Sequence, residues 1–133
     1  MTSITDATFF KLLKDKFPHD PTAKQSVALQ KLASFVLSKE KESVFMLKGF
    51  AGTGKTTIVG TIVTNLWKTT MKAVLMAPTG RAAKVMSNYS GTQAFTIHRK
   101  IYFPKKQSGG GVQFVLSPNK HRNTIFIVDE ASM

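Results

Sequence analysis

Apolar positions along the chain follow two periods. Between residues 5 and 16, Phe9, Phe10, Leu12 and Leu13 recur at helical spacing. They predict an amphipathic helix capped by Thr5 or Asp6. Phe17-Pro18-His19-Asp20-Pro21 ends it, because the residue before a proline is kept out of the α region. Thr22 opens a second helix running to about Ser38, with Ala28, Leu29, Leu32, Ala33, Phe35 and Val36 as its inner face. A charged turn, Lys39 to Glu42, leads to Ser43-Val44-Phe45-Met46-Leu47, a short apolar run of strand length that predicts a buried strand. Ile58, Val59, Ile62, Val63, Leu66 and Trp67 return to helical spacing. Lys72 to Ala77 reads as a second buried strand, Arg81 to Ser87 as a short helix ended by Asn88-Tyr89-Ser90-Gly91, and Thr96 to Ile101 as another short helix stopped by Pro104. From Lys105 to Arg122 the pattern weakens around Gly109-Gly110-Gly111. A mobile loop is expected there, with Gln113 to Leu116 as one arm of a small hairpin. Thr124 to Val128 is a last buried strand. Strands alternating with helices predict an α/β fold with a mostly parallel sheet.

The chemistry sits at two strand ends. Gly49-Phe50-Ala51-Gly52-Thr53-Gly54-Lys55-Thr56 fits G-x-x-x-x-G-K-[ST], a phosphate-binding loop, with the expected strand before it and helix after it. Glycines there take conformations that a Cβ forbids. The freed N–H groups and the helix N-terminus then present positive charge to phosphates. Lys55 is placed to reach the β- and γ-phosphates of ATP, and the Thr56 hydroxyl to bind Mg²⁺. The other strand end is Asp129-Glu130. Asp129 suits the Mg²⁺ shell, and Glu130 suits orienting and activating a water. An apolar strand ending in two acids is a weak signal alone and gains weight from the phosphate loop upstream.

Charge adds a second partner. The net charge of the 133 residues is +12, and no acid lies between Ser43 and Val128, a stretch with twelve Lys and Arg. A nucleotide site uses one or two of these cations. The remainder fits nucleic acid, with a merely solvated basic surface as the plain alternative. There are no cysteines, which excludes disulfides and thiolate metal sites and fits a reducing cytoplasm. No run reaches about 18 apolar residues, and the N-terminus has no secretory pattern. A GTPase is disfavoured because Asn119-Lys120 continues with His121-Arg122 rather than x-Asp.

Gln25 carries two readings: third residue of a capping box opened by Thr22, or an amide that reads an adenine edge. Thr79 reads as a helix cap or a ligand contact, and His98 as a packed residue or a ligand contact. Phe95, Tyr102 and Phe103 read as core or as base-stacking rings.

Taken in order, Gly49 to Thr57, Ala77-Pro78-Thr79-Gly80-Arg81-Ala82-Ala83, Thr96-Ile97-His98 and Val128-Asp129-Glu130-Ala131-Ser132-Met133 resemble motifs I, Ia, Ib and II of superfamily 1 DNA helicases, most of all the RecD-like and Pif-type branch. The resemblance implies a RecA-like three-layer P-loop fold and an ATP- and Mg²⁺-dependent motor. Such a motor moves 5′ to 3′ on single-stranded DNA, or on duplex with a 5′ tail, in repair or recombination. It also implies nucleotide contacts from Gln25 and from Gly49, Phe50, Ala51, Gly52, Thr53, Gly54, Lys55, Thr56 and Thr57, and DNA contacts from Thr79, Gly80, Arg81, Thr96 and His98. A bacterial cytoplasmic, nucleoid-associated protein is expected, acting as a monomeric motor or in a repair complex. The rival readings are another P-loop DNA-dependent ATPase and a non-catalytic nucleic-acid-binding module.

Motif III and the second motor domain with its arginine finger do not occur in the sequence. The chain is therefore expected to be a single truncated motor domain, helices over 1–42 and a P-loop core over 43–133. Its fold would be incomplete at the C-terminus, poorly active alone and prone to self-association at open strand edges.

Overall fold

The computed structural model describes residues 4–38, 40, 42–49 and 54–129, and of Phe103 the backbone alone. The chain forms two compact units, Met1–Lys72 with Tyr89–Gly91, and Ala73–Asn88 with Thr92–Met133.

The first unit is helical. Helix α1 (Asp6–Lys16) starts at Thr5, whose Oγ1 accepts from the Thr8 amide at 3.2 Å. Asp6 in its first turn and Lys14 and Lys16 in its last complement the helix dipole. Phe9 and Leu13, one turn apart, are fully buried, and Phe17 follows them inward. Helix α2 (Ala23–Leu37) buries Gln25, Leu29, Ala33 and Val36. Ala28, Leu32 and Phe35 are only half-buried, so the inner stripe is narrower than the composition predicts. Helix α3 (Lys55–Asn65) ends in a 3₁₀ turn, Leu66–Lys68. It buries Ile58, Gly60, Thr61, Ile62, Val63 and Asn65, nearly its whole circumference. The buried polar groups are satisfied within the helix. Thr61 Oγ1 donates to the Thr57 carbonyl at 2.8 Å, and Asn65 Nδ2 to the Thr61 carbonyl at 2.7 Å. Trp67, placed by its spacing on the inner face, is 67% exposed, because the 3₁₀ turn rotates it off the stripe; Lys68 Nζ lies 4.1 Å from its ring centroid.

One expectation fails here. Residues 43–49 form no strand; they run without a ladder partner among the described residues. The alternation survives: Phe45 and Leu47 are half-buried, whereas Val44 is 85% and Met46 71% exposed. An apolar run states what a strand would bury, not that a partner stands beside it.

The second unit holds the sheet. Strands β1 (Lys72–Ala77), β2 (Ala94–Thr96) and β5 (Thr124–Val128) stand in the order β2-β1-β5. β1 and β2 are parallel, with Leu75 opposite Ala94 and Ala77 opposite Thr96. Helix α4 (Gly80–Ser90) makes the crossover that parallel strands require. It runs three residues past the expected Ser87, to Ser90, and Gly91 at φ +69° gives the left-handed stop. Ser87 Oγ donates to the Ala83 carbonyl at 3.0 Å and accepts from the Ala94 amide at 2.8 Å, joining α4 to β2.

Helix α5 (Ile97–Ile101) is followed by β3 (Tyr102–Lys106) and β4 (Val112–Leu116), an antiparallel hairpin with Pro104 opposite Phe114. The expected loop is thus a two-arm hairpin, and Pro104 lies inside a strand. In a two-stranded ribbon both strands are edges, so a proline without an N–H is tolerated. Thr96 Oγ1 caps α5 by accepting from the Arg99 amide at 3.1 Å. Thr96→Ala is expected to lower stability by about 1 kcal/mol, read as a shifted urea midpoint at unchanged slope.

Candidate nucleotide and nucleic-acid sites

Of the phosphate loop, Gly49, Gly54, Lys55, Thr56 and Thr57 are described; Phe50, Ala51, Gly52 and Thr53 lie outside the described residues. The extended segment before the loop rests on α2 through Phe45, whose ring stands 5.6 Å from that of Phe35. Gly54 takes φ +87° and ψ 16° as the N-terminal boundary of α3, a left-handed conformation that favours glycine. Having no side chain, Gly54 cannot cap, and among the described residues no side-chain cap is made at the start of α3. The first amides of a helix have no partner within it and are donors available to an anion. Lys55 Nζ donates to the Gly49 carbonyl at 2.5 Å, so its ammonium spans the loop from the far end to the near one. Thr56, in the first turn, is exposed.

Gln25 reaches the same place. Its Oε1 accepts from the Thr22 amide at 2.9 Å, and its own amide donates to Thr22 Oγ1 at 3.2 Å, a complete capping box. Its Nε2 lies 2.3 Å from where a Cβ on Gly54 would stand. The first unit therefore brings Gln25, Gly49, Gly54, Lys55, Thr56 and Thr57 to one helix entrance. That donor set is an ammonium, hydroxyls and uncapped amides, which fits a Mg²⁺-bound polyphosphate. Among the described residues no three His, Cys, Asp or Glu cluster as a metal site. Mg²⁺ shared with substrate phosphates needs no such cluster, since one or two protein oxygens suffice.

In the second unit the predicted residues collect at one edge of the sheet. Thr79 follows the end of β1, Thr96 ends β2 and Asp129 follows β5. The Asp129 amide donates to the Met76 carbonyl at 3.1 Å, which sets the C-terminal ends of β5 and β1 side by side. Ligands of open α/β sheets bind outside such carboxyl ends. Thr79 Oγ1 accepts from the Ala82 amide at 3.1 Å and caps α4. Gly80 and Arg81 are exposed, and nothing stands within 4 Å of a Cβ built on Gly80. Glu130 lies outside the described residues.

His98 is exposed yet packed on rings. Its centroid is 5.0 Å from that of Tyr102 and 4.6 Å from that of Phe114, the latter edge-on. Lys100 Nζ lies 4.7 Å from the Phe95 ring centroid. Phe114, 54% exposed and packed on His98, was not singled out by the sequence as a candidate residue. The exposed alternation Val112, Phe114, Leu116 was the available signal.

A glycine-terminated loop bridged by its lysine before a buried helix, in a chain whose second unit carries a parallel sheet, defines a P-loop nucleotide-binding protein. The chain belongs to the AAA domain family, whose model matches residues 31–133, and it carries the N-terminal motor-domain sequence of superfamily 1 helicases. It is 35% identical over 98 residues, 71% of this chain, to the ATP-dependent DNA helicase dda of Enterobacteria phage T4, covering 22% of that protein. It is 31% identical across 137 aligned positions, 96% of this chain, to the ATP-dependent RecD2 DNA helicase of Deinococcus radiodurans, covering 18% of it. The chain thus spans about a fifth of the length of these relatives. No solved structure matches it. Among the described residues no helix is long and apolar enough to cross a membrane.

Proposed function

We propose that the chain is the ATP-binding part of an ATP-dependent DNA helicase that moves 5′ to 3′ along single-stranded DNA in repair or recombination, in the cytoplasm. The observation that carries this reading is the Lys55 ammonium held across a loop whose far end is the left-handed Gly54. The two named relatives, both ATP-dependent DNA helicases, support it.

In this reading Lys55 exchanges the Gly49 carbonyl for phosphate oxygens, and the amides entering α3 take the remaining charge. Thr56 and Asp129 are the residues that would hold Mg²⁺, which neutralises phosphate charge when bound. Glu130 orients the attacking water. Gln25 contacts the adenine ring. Titrating the full-length protein with a fluorescent ATP analogue tests the site: saturable binding displaced by ATP is expected, and no displacement refutes it.

Thr79 and Thr96 use an oxygen lone pair for capping, which leaves each O–H free to donate to a DNA phosphate. The two roles coexist, and substitution separates them. Thr79→Asp keeps a cap acceptor but sets a carboxylate against the backbone. It should retain the urea midpoint and lose single-stranded DNA affinity. Arg81→Ala should flatten the dependence of log affinity on log salt by about 0.7, one phosphate contact on a single strand. An unchanged slope removes Arg81 from the DNA site.

A further inference from the structure

Thr22 has so far only a capping role, yet Gly54 at the start of α3 rests on it indirectly. Its amide holds Gln25 Oε1 at 2.9 Å and its Oγ1 holds the Gln25 amide at 3.2 Å. With backbone and carboxamide both fixed, and the residue 9% exposed, Gln25 has little freedom to turn. Nε2 then stands over the Cα of Gly54, in the space a Cβ would fill at 2.3 Å. Gly54 is the residue whose left-handed turn starts α3, a helix with no side-chain cap at its entrance. We propose that Thr22 is a positioning residue. Through the capping box it seats the Gln25 carboxamide on Gly54 and so holds the phosphate-binding turn in place, separately from any contact Gln25 makes with a base. This rests on the nucleotide reading above and deepens it: Thr22 and Gln25 act on the triphosphate end of the ligand.

A ligand without a base isolates that action. Binding of inorganic tripolyphosphate with Mg²⁺, and of ATP with Mg²⁺, is measured by calorimetry on the full-length protein. The variants are Thr22→Val, which keeps the shape and removes the cap; Thr22→Ser, which restores it; and Gln25→Leu, which keeps helix and volume and removes the amide. Thr22→Val and Gln25→Leu are expected to weaken tripolyphosphate about fivefold, the factor equivalent to one typical cap, while Thr22→Ser binds as the unaltered protein does. Gln25→Leu carries the test if Thr22→Val fails to fold, since its cap hydroxyl remains. Tripolyphosphate affinity unchanged in both variants, with ATP alone weakened, overturns the proposal and leaves Gln25 a base contact only. Equal weakening in Thr22→Ser also overturns it. Unaltered protein that binds neither ligand refutes the nucleotide reading itself, a result distinct from the other two.

Discussion

Replacing Lys55 with alanine in the full-length protein is expected to reduce ATP turnover by about 10²–10³-fold, the cost of removing one preorganised donor from developing charge. Single-stranded DNA affinity should stay within a factor of about two, because one of twelve cations in the basic stretch contributes little to it. The fold should tolerate the change. Lys55 is the first residue of α3, half-buried, and its one described side-chain bond is to the Gly49 carbonyl. Alanine is also the best helix former. Arginine is no conservative substitute, because a planar fork does not replace a compact ammonium. Steady-state phosphate release with saturating single-stranded DNA reads the effect. Undiminished turnover in Lys55→Ala would mean that the loop does not serve catalysis, and a parallel loss of DNA affinity would point to a charge-only module.

Gly54→Ala carries the second large effect. The left-handed turn at φ +87° costs a non-glycine residue about 1–3 kcal/mol. The new methyl also falls 2.3 Å from Gln25 Nε2, which must swing away and break its capping box, at a further cost of about 1 kcal/mol. Urea unfolding should show the sum, and ATP affinity should fall with it. The double variant Gly54→Ala with Gln25→Ala separates the parts. With the amide gone the collision is gone, so the two substitutions together should cost less than their separate effects added. Strict additivity would show that the two side chains do not share the space.

Local chemistry was legible in the sequence wherever it was set by near neighbours. The Thr22–Gln25 capping box, the caps at Thr5 and Thr79 and the strands at 72–77 and 124–128 follow from spacing and short-range hydrogen bonding. Of the two Gln25 readings the capping box is formed, and the same amide also lies against Gly54. What depended on partners distant in sequence was harder. The apolar run at 43–47 has the alternation of a strand and no ladder. Trp67 has helical spacing, but the 3₁₀ turn moves it outward. Pro104 reads as a stop, yet an edge strand accommodates it. Gly109-Gly110-Gly111 reads as flexibility, although Gly110 and Gly111 take φ +86° and +89° in the turn of a hairpin. The ring contact of His98 with Phe114 joins residues sixteen positions apart and needed that hairpin to be seen.

The role proposed for this chain is to hold ATP for a motor driven along single-stranded DNA. ATP hydrolysis by the full-length protein, measured with and without single-stranded DNA, tests it most directly. Slow turnover alone, strong stimulation by single strands and loss of that stimulation in Lys55→Ala are expected. Turnover indifferent to DNA, or DNA binding with no hydrolysis under any condition, would contradict it.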